Sequence, residues 1–180
     1  MASLRSWPVL AVLAGSCAFA QPADEGAALA GQFVRALELH EQSAMGLRMA
    51  ADTLRKDGKI NDVQAGCIKQ SKSAEFLPVM VQIATAQLTA EEMQEAILFF
   101  ESSGGKKYLQ MSAAKTAERV GVKSEVAMPD FTPQEYAAVN EFGTTKLYEK
   151  LVTQAVMTRS TVARPLLQAK TIELIQRCLR

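Results

Sequence analysis

The sequence is poor in the side chains that most often carry catalysis or bind metals. Its 180 residues include one His, three Cys and one Trp, and only 6% of them are aromatic. One His with so few Cys cannot supply a typical zinc site, so we expect neither a metal nor another cofactor. Lys and Arg number 20, against 19 Asp and Glu. Because neither charge is in excess and no basic patch is interleaved with aromatic residues, we expect no nucleic-acid partner.

Sustained strand-like alternation and long apolar runs are also missing. Nearly every segment after residue 25 repeats its apolar positions at the helical period instead. No run beyond the N terminus reaches the length that crosses a bilayer, so we expect no transmembrane helix in the mature chain. Apolar residues make up 48% of the sequence, which is enough for a core. We therefore predict a compact all-α fold in a single domain.

Residues 1–20 have the pattern of a secretory signal peptide. Arg5 is their only charged residue, residues 8–15 are apolar, and Ala18 and Ala20 form a small-x-small exit that polar residues follow. A positive start, an apolar middle and small residues at the exit direct export and cleavage. We predict cleavage after Ala20.

Export would leave a mature domain of residues 21–180 outside the cytoplasm. The alternative is a lipid anchor at Cys17, although Ala14 stands where a lipoprotein site usually has a larger aliphatic residue. Either outcome predicts a protein that acts outside the cytoplasm.

Loss of the signal peptide leaves two cysteines, Cys67 and Cys178. Two cysteines in an exported protein most simply form one disulfide. Val63 and Leu174 precede them at helical spacing, so we expect both thiols on core-facing stripes. A redox-active pair is the alternative, but it usually needs the close Cys-x-x-Cys spacing, which is absent. We predict a structural bridge between the last helix and an early one.

Three helices are expected before residue 88. The apolar periods place them over residues 25–56, from a cap at Asn61 or Asp62 to Cys67, and over residues 74–87. Gly58 is a natural stop for the first helix. Pro78 is expected in the first turn of the third helix, where its missing N–H group does least harm, or at a kink.

Two later segments match each other. Residues 88–92 read Leu-Thr-Ala-Glu-Glu and residues 131–135 read Phe-Thr-Pro-Gln-Glu, and each Thr precedes a Glu by three positions, as in a capping box. We predict two consecutive capped helical hairpins, over about residues 88–120 and 131–157, and a closing helix over about residues 160–179. Duplication and a merely shared cap chemistry both explain the match.

The first hairpin carries an aromatic pair followed by a Ser/Gly/Lys corner, at Phe99, Phe100, Ser102, Gly105 and Lys107. With its Leu-Thr start and acidic helix, this segment, residues 87–120, resembles the bacterial exported family called domain of unknown function 2059. The resemblance implies a small all-helical protein of the bacterial envelope, located in the periplasm. It brings no agreed activity, substrate or catalytic residue. The position after Ser102, where the family usually has Pro, is here a Ser.

The same corner has the features of an anion site. A helix start exposes free N–H groups, Gly allows a close approach, and two Lys add positive charge. The plainer interpretation is a helix corner with solvated lysines. The candidate anion-binding residues are Ser102, Ser103, Gly104, Gly105, Lys106 and Lys107.

His40 is the only histidine, and it lies on the apolar stripe of the first helix. The zinc-binding pattern His-Glu-x-x-His fails because position 44 is Ala. We expect a core histidine that is hydrogen-bonded to a neighbouring helix. The alternative is a general base for a nucleophilic Ser or Thr.

The sequence therefore favours a non-enzymatic envelope protein, a protein-binding or structural module whose partner is another envelope protein or a second copy. The alternative is a small anionic-ligand binder or hydrolase that uses the corner from Ser102 to Lys107. An apolar groove that takes lipid is a third hypothesis. No catalytic residue is assigned.

Overall fold

The computed structural model describes residues 22–119 and 127–180, and every regular element in these two ranges is helical. The helices are α1 (Pro22–Ala36), α2 (Leu39–Lys56), α3 (Asp62–Lys69), α4 (Leu77–Gln87), α5 (Ala90–Glu101), α6 (Ser103–Arg119), α7 (Pro133–Gly143), α8 (Lys146–Tyr148), α9 (Val156–Arg159) and α10 (Ala163–Leu179). A 3₁₀ turn (Ser73–Phe76) leads into α4, and a π-helical turn (Glu149–Thr153) follows α8. The predicted all-α class is confirmed for this part of the chain. The predicted signal peptide, its cleavage site and Cys17 lie outside the described residues.

The first predicted helix is two helices, so the continuous span over residues 25–56 is wrong. Glu38 interrupts it with a left-handed backbone, at φ 53° and ψ 28°. Leu37 and Leu39 on either side are both buried. The break lets α1 pack against α4 and α5 while α2 packs against α3 and the 3₁₀ turn. Apolar periodicity could not reveal it, because both helices continue a similar stripe.

The predicted caps are in place. Asn61 begins α3 with a capping box, in which its Oδ1 accepts the N–H of Gln64 at 2.9 Å and the Oε1 of Gln64 accepts the N–H of Asn61 at 3.0 Å. Thr89 and Thr132 cap α5 and α7 in the same way. Pro78 lies in the first turn of α4. Each cap satisfies backbone N–H groups that a helix start leaves free.

Two apolar clusters hold the helices together. The first joins α1, α4, α5 and the hairpins, and the second joins α2, α3, the 3₁₀ turn and α10. The largest fully buried side chains are Phe33, Val34, Met80 and Ile83 in the first cluster and Ile68, Phe76 and Leu174 in the second. Val79 and Leu167 pack against both clusters, which therefore form one continuous interior.

The two hairpins contact each other reciprocally. Thr89, Glu92, Phe99, Ser102 and Lys107 of the first have counterparts in the second at one constant spacing along the chain; these are Thr132, Glu135, Phe142, Thr145 and Lys150. Lys107 Nζ lies 2.6 Å from Glu135 Oε2, and Lys150 Nζ lies 2.7 Å from Glu92 Oε2. The rings of Phe99 and Phe142 also stack across the two hairpins, with centroids 3.8 Å apart. Contacts in which each half gives the other the same group are those of a two-fold interface. Duplication of the hairpin stays a hypothesis.

The return arms of the two hairpins differ. α6 is one continuous helix, whereas the second arm consists of α8, the π-helical turn and α9. Ala155 takes a left-handed conformation, at φ 50°, and separates the turn from α9. The closing helix α10 follows at Ala163, three residues later than predicted.

Cys67 and Cys178 form the predicted disulfide, with Cα atoms 5.7 Å apart, and it joins α3 to α10. The prediction that both thiols face the core is wrong for Cys67, which is exposed, whereas Cys178 is half-buried and packs against the second apolar cluster. Ala65 and Ile68 form the buried face of α3, while Val63 is 82% exposed. On α3, the stripe of Val63 and Cys67 that the sequence suggested is thus rotated away from the core, and the bridge lies at the surface.

Removal of this bridge by Cys67→Ser and Cys178→Ser should lower the free energy of unfolding, measured in urea, by about 4–5 kcal/mol, since the bond closes a long loop. Reduction of the unchanged protein should give the same loss. Two thiols that react with an alkylating reagent in the native, unreduced, exported protein would contradict the assignment.

Candidate functional site

The corner between α5 and α6 is fastened by Ser102. Its hydroxyl donates to the carbonyl of Phe99 at 2.6 Å and accepts the N–H of Gly105 at 3.1 Å. Thr145 makes the matching pair of bonds in the second hairpin, to the carbonyl of Phe142 and from the N–H of Tyr148. A hydroxyl at each corner therefore satisfies backbone groups of the chain itself.

The two glycines of the corner are buried against backbone. A Cβ atom at Gly105 would lie 2.0 Å from the carbonyl oxygen of Phe99, which is impossible without a shift of the main chain. A Cβ at Gly104 would lie 3.2 Å from the carbonyl oxygen of Glu135. The glycines therefore allow α5 and α7 to approach the first turn of α6 closely.

Glu135 brings its own negative charge to this corner. Its carboxylate accepts a hydrogen bond from the hydroxyl of Ser103, one from Lys107 Nζ at 2.6 Å and one from the N–H of Thr132 at 2.8 Å. Lys107 also donates to the carbonyl of Asp130 at 2.7 Å. These partners, Lys107 first and then Ser103, lower the pKa of Glu135 from 4.5 to about 2.

Of the six candidate anion-binding residues, Ser102, Ser103 and Lys107 thus bind groups of the chain itself, and Gly104 and Gly105 pack against helices. Lys106 is the exception, since its side chain is exposed on a neighbouring cleft. Anion binding at this corner stays a prediction, and its charge would come from Lys106.

The ion pair makes stability depend on pH. A carboxyl group whose pKa falls on folding stabilises the native state above its ordinary pKa, and this contribution is lost as the pH falls through the folded value. For Glu135 that window runs from pH 4.5 down to about pH 2. We expect Glu135→Gln to flatten the fall in urea stability over this window.

The pKa itself can be followed by NMR titration of the carboxyl carbon. Lys107→Met should raise the pKa of Glu135 toward its ordinary value, whereas the matched control Lys106→Met should leave it low. An unchanged pKa in Lys107→Met would contradict the pairing.

His40 does not make the hydrogen bond that the sequence suggested. Its Nδ1 is buried and has no partner among the described residues, and its Nε2 lies 3.9 Å from Oε1 of Glu41, the next residue. The hydroxyl of Ser73 donates to the same Glu41 oxygen at 2.6 Å, not to His40. The prediction of a satisfied core histidine is therefore wrong. The sequence could not show this, because α2 reaches the 3₁₀ turn here rather than a polar helix face.

A mainly apolar groove, which the sequence did not suggest, opens beside α6. It has a volume of about 550 Å³ and lies between α2 and α6, with α4 and α10 below. Its apolar lining includes Met45, Met49, Phe76, Met80, Leu109 and Leu167. α6 packs mainly against α5 and α7, and no described helix covers the side that faces α2.

A more polar cleft of about 720 Å³ continues this groove toward the start of α6. Arg35, Glu101 and Lys106 line it, and Glu38, Leu109 and Ala113 line both spaces. We call the two together the trough. One wall is α6 and the other is formed by the end of α1 and the start of α2, with the break at Glu38 midway.

A weak signal of the trough exists in the sequence. Lys106, Leu109, Ala113 and Thr116 follow one face of α6 at helical spacing, and only Leu109 among them is a large apolar residue. A face this poor in apolar residues offers little apolar area for burial against a neighbouring helix. The glycines at the start of the same helix are the stronger pattern, so the sequence alone does not single out this face.

Within the two described ranges, no three or more His, Cys, Asp or Glu side chains are grouped so as to hold a metal. None of the helices in these ranges combines the length and the hydrophobicity that crossing a bilayer requires. Comparison of the chain with family models, with curated proteins and with solved structures found no match. The resemblance to domain of unknown function 2059 stays a prediction.

Proposed function

We propose that this chain is an exported, non-enzymatic binding module, and that its trough takes the apolar face of a helix from a partner protein. The observation that carries the proposal is the apolar groove between α2 and α6. Its volume of about 550 Å³ is comparable to that of small-molecule pockets, about 300–1,000 Å³, so it has room for several apolar side chains of a partner.

The lining of the groove suits an apolar partner. Phe76 and Met80 form a rigid floor because they belong to the core, while Met45 is 49% exposed. Covering an apolar side chain that is exposed to solvent lowers the free energy. Met45 and Met49 lie one helical turn apart, and Met adapts its shape to different partners. The walls thus offer contact area that can mould to an incoming side chain.

The shape favours a helix. From Lys106 to Thr116 the lining of α6 runs along about three turns, or roughly 15 Å. An amphipathic helix that lies in such a channel places an apolar residue every three or four positions against the floor. The contact would add a helix beside α6 on the side where none of the described helices packs.

Export rests on the N-terminal pattern of residues 1–20 and is supported by the bridge between Cys67 and Cys178. Disulfides form and persist in oxidising compartments such as the periplasm. A surface bridge of this kind would be reduced in the cytosol.

The second candidate function is the binding of a small anion, alone or before hydrolysis. Lys106 and Arg35 both line the polar cleft, which favours it. Glu38 and Glu101 line the same cleft and balance the two cations. The apolar groove therefore supports the first proposal better than this cleft supports the second.

The test uses a labelled peptide of about five helical turns, built from Leu on one face and uncharged Gln on the other. Its fluorescence anisotropy should rise on titration with the exported protein and saturate. Ala113→Trp fills the trough from the exposed side of α6 and should abolish the rise.

Lys115→Trp is the matched control, because Lys115 is exposed on α6 and does not line the trough. It should bind the peptide as the unchanged protein does. Equal binding by Ala113→Trp, or saturation by a scrambled peptide that lacks an apolar face, would sink the proposal.

A further inference from the structure

The charges around the trough are unevenly distributed. Glu38 and Glu41 line the apolar groove, and among the described residues no Lys or Arg lines it. In the polar cleft, Arg35 and Lys106 face Glu38 and Glu101, so positive and negative charges are equal in number there. The trough as a whole therefore carries an excess of negative charge, and that excess lies at its apolar end.

Glu38 occupies the position at which both spaces meet. Its left-handed backbone is one that Gly, Asn or Asp adopt most readily, and a Glu adopts it rarely. The turn itself is required because α1 and α2 pack against different helices. A Gly would make the same turn with less strain, and it would place no charge in the trough. What the strained Glu38 adds is an exposed carboxylate midway along the channel.

Glu41 is held at the rim of the groove by a neighbour. Its Oε1 accepts the hydroxyl of Ser73 at 2.6 Å, and its side chain remains 52% exposed. A carboxylate that is already oriented loses less conformational freedom when it pairs with an incoming cation. His40 also lies beside this carboxylate, 3.9 Å from the same oxygen.

We propose that the partner helix is basic, with Lys or Arg along the edge of its apolar face where that edge meets Glu38 and Glu41. This inference rests on the proposed function, since it assigns the chemistry of the partner that the trough takes. The chain as a whole is nearly neutral, with 20 basic and 19 acidic residues. The preference for a basic partner therefore depends on these two carboxylates and not on the charge of the whole chain. Charge complementarity of this kind gives specificity more than affinity.

The experiment compares three peptides with the same Leu face, whose polar face carries Lys, Gln or Glu. We expect the exported protein to bind the Lys peptide about tenfold more tightly than the Glu peptide at low salt. The difference should shrink as NaCl is raised, because salt screens exposed charges.

The double variant Glu38→Gln and Glu41→Gln should lose this preference while it still binds the Gln peptide. Gln at position 41 keeps an acceptor for Ser73. The matched control, Glu95→Gln and Glu118→Gln, removes two exposed carboxylates that do not line the trough and should keep the preference.

The outcomes separate the two proposals. Binding of the Gln peptide without any preference for Lys over Glu would overturn the basic partner and leave the binding module standing. A preference that survives in Glu38→Gln and Glu41→Gln would overturn the role of these two carboxylates. Failure of all three peptides to bind would overturn both proposals.

Discussion

Phe99 of α5 stacks on Phe142 of α7. Each hairpin also contributes one lysine to an ion pair with the helix cap of the other. Lys107 pairs with Glu135, and Lys150 pairs with Glu92. Each ion pair also supports a helix start, because the two glutamates complete the capping boxes that begin α5 and α7. Each hairpin therefore strengthens the cap at the start of the other, and these mutual contacts couple the two hairpins. The position of α6 follows from them, because α6 carries Lys107 and packs against α5 and α7.

That position creates the trough. The buried glycines of its first turn let α6 pack closely against α5 and α7, and α6 lies apart from α2. The space between them is lined by core residues below and by the methionines of α2 at the side. The corner that has the sequence features of an anion site thus has a structural role, because Lys107 and the hydroxyls bind the chain's own groups. The surface that stays open is a neighbouring face of α6, the one that lines the trough.

Several features could be predicted from the sequence because they depend on neighbouring residues. The caps at Asn61, Thr89 and Thr132 are local patterns, and the disulfide followed from counting the cysteines that remain after export. The break at Glu38 could not be predicted, because it depends on which helices lie beside α1 and α2. The same is true of the partners of Lys107 and of the exposure of Cys67. The trough is a property of how helices are spaced, which no local pattern records.

The role of the reciprocal contacts is tested most directly by the affinity of the uncharged Leu/Gln peptide for the double variant Lys107→Met and Lys150→Met. Neither lysine lines the trough, and both connect the hairpins. If the reciprocal contacts set the position of α6, peptide binding should weaken by about tenfold or more, which corresponds to about 1.4 kcal/mol, while the protein stays folded. Unchanged affinity, with NMR titration showing that the pKa of Glu135 has risen from about 2, would contradict it.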